Sequence, residues 1–219
     1  MKIKIFQIDR NKDTKHLFLA CYEKTKGVVD PSIYRQVFMG DVNILDGSED
    51  YVFEVILNMF SCDFPSTFCC KEAHSITLSD VVVTETGAFY CDDHFEFKRI
   101  DFDVSKVDTS DLIKVIVVEP RRDPYISMIP NSLDTFQHVV GGPIEVVGSE
   151  PSIKIICDEK GKLKGYGACK GLALSDGSIY DYLYGTLIVI GVEGENFRSL
   201  TDEELSLYLE KMSLPSVII

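Results

Sequence analysis

The chain has 219 residues, 45% hydrophobic and 26% charged, a balance that excludes collagen-like, low-complexity and largely disordered architectures. Lys and Arg number 22 against 35 Asp and Glu, a formal charge of -13, so repulsion from phosphate backbones argues against binding bare DNA or RNA. No apolar run reaches the length of a membrane helix, and the opening MKIKIFQIDRNKD has no signal-peptide core, so a soluble cytoplasmic protein is expected.

The acidity is spread along the chain. Before residue 110 there are 12 basic and 19 acidic residues, and the remainder holds 10 and 16. Arg121-Arg122 and the comb of Lys160, Lys162 and Lys164 are locally basic. Spread carboxylates serve solubility, and they also suit recognition of a basic protein partner. The seven cysteines are odd in number and irregular in spacing, as in a reduced intracellular protein.

The first strand is expected over 2–9, where Ile3, Ile5 and Gln7 alternate with Lys4, Phe6 and Ile8. Asp30-Pro31 has the order that starts helices, and Ile33, Tyr34, Val37 and Phe38 form an apolar stripe closed by Gly40, so a helix is expected there. A second helix follows the acidic stretch 46–50, with Val52, Phe53, Ile56, Leu57 and Phe60 on one face. The β-branched run after His74, then 88–90 and 95–102, reads as strands of a small antiparallel sheet. Residues 104–112 are polar and aperiodic and read as a linker between domains at 1–103 and 113–219.

The second half opens on a strand at 113–118, with 125–129 limited by Pro124 and Pro130 to an edge or a turn. Asn131 or Ser132 caps a helix expected to bury Leu133, Phe136, Val139 and Val140 and to stop at Gly141-Gly142. Strands are expected at 144–147 and 153–157, and a return strand from Leu163 onward. The stretch 185–191 (GTLIVIG) is the most apolar and reads as a central strand. Thr201 and Glu204 form a capping box for a last helix, and the tail 214–219 reads as an exposed apolar patch or a docked edge strand. The fold class expected is α+β: two small domains, each a short, mostly antiparallel sheet packed with one or two helices.

The runs 34–40 (YRQVFMG), 74–82 (HSITLSDVV), 89–92 (FYCD) and 95–97 (FEF) resemble the YodL-like domain, over roughly residues 2–102. The family pattern has a tyrosine-led helix, and this chain departs from it at Ile76 and Thr77 and in the loop before His74. The second half is similar to the domain-of-unknown-function 3846 family over about 112–212. That resemblance rests on 113–120 (IKVIVVEP), 140–145 (VGGPIE), 157–162 (CDEKGK), Asp181, Gly185-Thr186, Gly191 and 197–204 (FRSLTDEE). The resemblances imply no assigned reaction. They imply accessory modules of phages and conjugative elements in Gram-positive bacteria, carried beside antirestriction genes.

The candidates for chemistry are few. His74 with Asp80 suits a base and its orienter, and Cys91 with His94 a thiolate–imidazole pair. Cys62, Cys69, Cys70 and His74 lie within thirteen residues and carry metal-ligand atoms, but lack the paired Cys-x2–4-Cys knuckles of structural zinc sites. Glu119, Glu145, Asp158 and Glu159 sit at ends of expected strands. Gly141-Gly142 follows a helix instead of preceding one, the wrong side for phosphate cradling. No dinucleotide or Walker motif occurs, and neither cofactor nor metal is expected. The leading expectation is a non-catalytic accessory protein of a mobile element that binds a basic protein partner, in its sharpest form as a DNA mimic acting against defence machinery. The alternatives are a small metal- or thiol-dependent enzyme built on His74, Asp80, Cys91 and His94, and a structural or dimerising module.

Overall fold

The structure is a computed structural model and describes residues 1–42, 48–60, 73–93, 96–148 and 150–218. The chain divides into two compact α+β units, one running to Asp111 and one from Leu112 onward.

In the first unit β1 (Lys2–Ile8) is followed by the single turn α1 (Tyr22–Thr25), β2 (Tyr34–Asp41), α2 (Glu49–Phe60), β3 (Val81–Val83), β4 (Ala88–Cys91) and β5 (Phe97–Ile100). The strands form an antiparallel sheet in the order β2-β1-β3-β4-β5. One face carries α2, with Phe53 stacked on Phe97 at 4.3 Å and edge-on to Phe89, and Phe38 edge-on to Phe60. The other face buries Phe6, Ile8, Tyr34, Val81, Tyr90 and Phe102. Val107, from the segment read as a linker, packs into that same cluster behind a 3-10 turn at Val104–Lys106.

The helix expected after Pro31 is a strand. Asp30 does accept from the Ser32 N–H, but the 3-10 turn Pro31–Ile33 ends after three residues and the chain pairs with β1 along its whole length, from Ile8↔Tyr34 to Lys2↔Asp41. Apolar residues at i, i+1, i+4 and i+5 fit a helical stripe, but they fit equally a strand buried on both faces, and Tyr34, Val37, Phe38 and Met39 are all buried. The strand expected from His74 is likewise shorter: only Val81–Val83 pairs, and Ser79 has φ of +72°.

The second unit comprises β6 (Leu112–Val118), β7 (Tyr125–Pro130), α3 (Leu133–Val140), β8 (Ile144–Val147), β9 (Ile153–Asp158), β10 (Ala168–Ala173), β11 (Ile179–Tyr184), β12 (Leu187–Glu193), β13 (Asn196–Arg198), α4 (Asp202–Ser213) and β14 (Ser216–Ile218). The larger sheet runs β7-β6-β12-β9-β8, with β13 paired to β12, and a smaller one runs β11-β10-β14. β12 is the central strand, and its residues alternate between two cores. Ile188 and Ile190 join Phe136, Val139 and Val140 of α3, whereas Leu187 and Val189 join Leu205, Tyr208 and Met212 of α4. Ser132 caps α3 and Gly141 closes it in the left-handed conformation, but Leu133 is 55% exposed, because its place in the first turn faces away from the sheet that Phe136 meets. Leu163 does not start a strand returning on β9: it stands 86% exposed in a turn, and the next strand, β10, begins at Ala168 and pairs with β11 and β14 instead.

Candidate functional site

Gln7 lies in β1 on the α2 face, at a position where the alternation calls for an apolar residue, and it is fully buried. Its amide reaches the segment before β3. Nε2 donates to the His74 carbonyl at 2.7 Å and to Asp80 Oδ2 at 3.0 Å, and Oε1 accepts from the His74 N–H at 3.0 Å. Asp80 Oδ2 also accepts from the Thr77 N–H at 3.0 Å. His74 Nδ1 lies 2.9 Å from the Ser75 carbonyl and 3.1 Å from Gln7 Nε2. His74 and Asp80 therefore do meet, 3.7 Å apart. Burial holds the imidazole below its ordinary pKa, with Arg10 and Arg35 adding to the effect. Burial raises the Asp80 carboxyl well above the carboxylate range against the opposing hydrogen bonds from Thr77 and Gln7. Burial thus disfavours the charged form of both groups. His74 Nε2 and Asp80 Oδ1 are buried with no hydrogen-bond partner among the described residues.

The rest of the run is similarly occupied with holding the fold. Ser79 Oγ accepts from the Leu19 N–H, the Ser79 carbonyl accepts from the Tyr34 hydroxyl at 2.9 Å, and the Tyr90 hydroxyl donates to the Ala20 carbonyl at 2.7 Å. Asp92 accepts from the Tyr22 N–H and from Lys98 Nζ, both at 2.6 Å. Cys91 meets Asp80 through its backbone, its N–H donating to the Asp80 carbonyl and its carbonyl accepting from Ser79. Burial, then the neighbouring Asp80 and Asp92, push its thiol up to about 12, so it is not a thiolate at neutral pH. His94, Cys62, Cys69 and Cys70 lie outside the described residues. No three described His, Cys, Asp or Glu side chains cluster as metal ligands.

In the second unit Asp158, at the end of β9, is buried and ion-paired with Lys164 Nζ at 2.5 Å, and the same ammonium donates to the Gly141 carbonyl at 2.8 Å. Tyr166 lies between Gly141 and Gly185: a Cβ on Gly185, whose φ is +76°, would come within 2.7 Å of the ring. The turn 158–166 is thus tied to both the α3 terminus and the start of β12. Of the other strand-end carboxylates, Glu119 accepts from the Arg122 guanidinium and the Tyr125 hydroxyl, whereas Glu145 and Glu159 are exposed. A shallow open groove beside this turn is lined by Asp134, Gln137, His138, Gly141 and Gly142.

The comparisons with known proteins divide the chain where the structure does. Residues 2–102 match the YodL-like domain, and residues 113–213 match a domain of unknown function (DUF3846). The chain carries a YodL-like domain followed by a DUF3846 domain. No curated protein and no solved structure matches it. No helix among the described residues is long and apolar enough to cross a membrane.

Sequence reasoning singled out His74, Asp80 and Cys91 of the YodL-like domain but missed Gln7, the side chain that joins the first two. A polar residue at an apolar position of a buried strand was the available signal. It missed in the DUF3846 domain that Lys164 and Tyr166 gather the separate glycine motifs. It also missed a recurring local device across the chain: Asp30, Asp103, Asp108 and Asp176 each accept from the N–H and hydroxyl of the serine two residues on.

Proposed function

We propose that this chain is a non-catalytic accessory protein of a bacterial mobile element that acts by binding a basic protein partner, in its sharpest form as a nucleic-acid mimic directed at a restriction or CRISPR component. The observation that carries the reading is how the titratable groups are divided. Asp80, Asp92, Asp158 and Glu204 are committed to internal contacts, while Glu85, Glu193, Glu195, Glu203 and Glu210 stand exposed on a chain of formal charge -13. Exposed like charges act at long range: they steer a basic partner towards the surface and weaken as salt screens them. The groups that an enzyme would use are withheld instead: the Cys91 and Cys157 thiols are pushed up to about 12 and about 11 by burial, and His74 is neutral within a network of hydrogen bonds.

The test is affinity capture of host-cell proteins on the full chain at low and moderate salt. Retention of a basic nuclease, methyltransferase or CRISPR effector at low salt, with release as salt rises, is the expected result. Failure to retain any protein reproducibly would overturn the reading.

A further inference from the structure

We propose that the outer edge of β11, which pairs with no further strand among the described residues, is the docking strand for an extended, Lys- or Arg-bearing segment of the partner. This inference rests on the acidic-binder reading and gives it a location. β11 is an outer strand of the β11-β10-β14 sheet, and four consecutive residues of it are exposed, among them Ile179 at 44%, Tyr180 at 56% and Tyr182 at 46%. It carries no lysine and no proline to blunt that edge, and its one irregularity is the register shift that skips Tyr180 between Ile179 and Asp181.

The backbone geometry identifies which groups are free. Tyr182 pairs with Gly171, and Gly171 directs its own N–H the other way, to the Pro215 carbonyl at 3.0 Å. In an antiparallel ladder the two members of such a pair point their main-chain groups away from each other, so the Tyr182 N–H faces out beyond the sheet. There it is held by the carboxylate of its own neighbour, Asp181 Oδ1, at 2.8 Å. The carboxylate thus occupies the place of an absent strand's carbonyl. An incoming strand supplies that carbonyl, and the released Asp181 then pairs with a cation on the same segment. Beside it the surface is shallow, because Gly171 carries no side chain and Ile179 lies over it. A second copy of the chain is the poorer occupant, since it brings another -13 and would set acidic surfaces together.

The probe is the capped peptide Lys-Val-Lys-Val-Lys-Val, titrated against the full chain by isothermal calorimetry, with its Glu-for-Lys counterpart as control. The lysine peptide is expected to bind and the glutamate peptide not. Tyr182→Pro removes the outward N–H without removing a bond to β10, and is expected to weaken binding by about tenfold or more, whereas Tyr182→Phe leaves it unchanged. Asp181→Lys, which keeps the backbone and reverses the charge, is expected to weaken it similarly and serves if the proline variant fails to fold. Equal affinity in wild type, Tyr182→Pro and Asp181→Lys, or no binding of the lysine peptide, would overturn the proposal. So would a wild-type dimer in sedimentation that either variant dissociates, because the edge would then belong to a second copy. A basic partner captured equally well by wild type and both variants would remove β11 and leave the acidic-binder reading standing.

Discussion

Replacing Gln7 by Met keeps the length and flexibility of the side chain while removing its amide. Three hydrogen bonds vanish: those to the His74 carbonyl, to Asp80 Oδ2 and from the His74 N–H. Asp80 Oδ2 retains Thr77, so its loss is partial. The two backbone groups of His74 lose their Gln7 partner at a site where Gln7 is 0% exposed. Each buried polar group left unpaired costs roughly 1–3 kcal/mol, so the substitution should destabilise the YodL-like domain by about 3–5 kcal/mol after some relaxation and apolar gain. At a urea slope on the order of 2 kcal/mol/M this lowers the midpoint of that domain by roughly 2 M. The chain has no tryptophan, so unfolding is best followed by far-ultraviolet circular dichroism. A loss below about 1 kcal/mol would refute the reasoning, since it would mean that the His74 backbone finds other partners without Gln7.

Other consequences can be measured on the same footing. Because the folded pKa of Asp80 is raised, the folded state holds a proton that the unfolded chain gives up near pH ~4, and stability falls as pH climbs from there through the raised value. The stability of Asp80→Asn relative to wild type should therefore improve between pH 4 and 8, and a pH-independent difference in denaturant midpoints would contradict it. For His74 the sign reverses: its depressed pKa costs stability as pH falls below ~6.5, which His74→Gln should remove from the acid limb of the profile. In Gly191→Ala the new methyl would lie 2.5 Å from an Arg198 guanidinium nitrogen that is bound to Glu204 at 2.7 Å, so about 1–3 kcal/mol of thermal stability should be lost, and an unchanged melting temperature would count against it. Thr201→Ala removes the acceptor for the Glu204 N–H and should cost about 1 kcal/mol, measurable by denaturant titration.

Where the pattern is local, the sequence was readable. The Thr201–Glu204 capping box, the Ser132 cap with Gly141 closing α3, and β12 as the most apolar strand all stand in the structure, because each is decided within a few residues. β2 was not readable, since burial on both faces erases the alternation that distinguishes a strand from a helical stripe. The β10–β11 hairpin was missed for the opposite reason. β10 buries Lys170, whose ammonium is satisfied by the Leu214 carbonyl at 2.7 Å, and β11 exposes four residues in a row, so neither shows a period of two. His74 and Asp80 lie 3.7 Å apart, and the reason they meet lies in Gln7, 67 and 73 residues away in sequence. A contact at that range leaves no mark on local spacing.

The position of β12 also sets the order in which the chain can mature. Four of the strand pairings in the first sheet are β1 with β2, β1 with β3, β3 with β4 and β4 with β5, so most join neighbours and can form soon after synthesis. In the DUF3846 domain β6 and β9 are made early but are hydrogen-bonded to β12, which arrives only at residue 187. Until then, two strands rich in valine and isoleucine wait with open edges on the nascent chain. That interval is the one in which a chaperone, or a shortage of one, would decide the yield of folded protein.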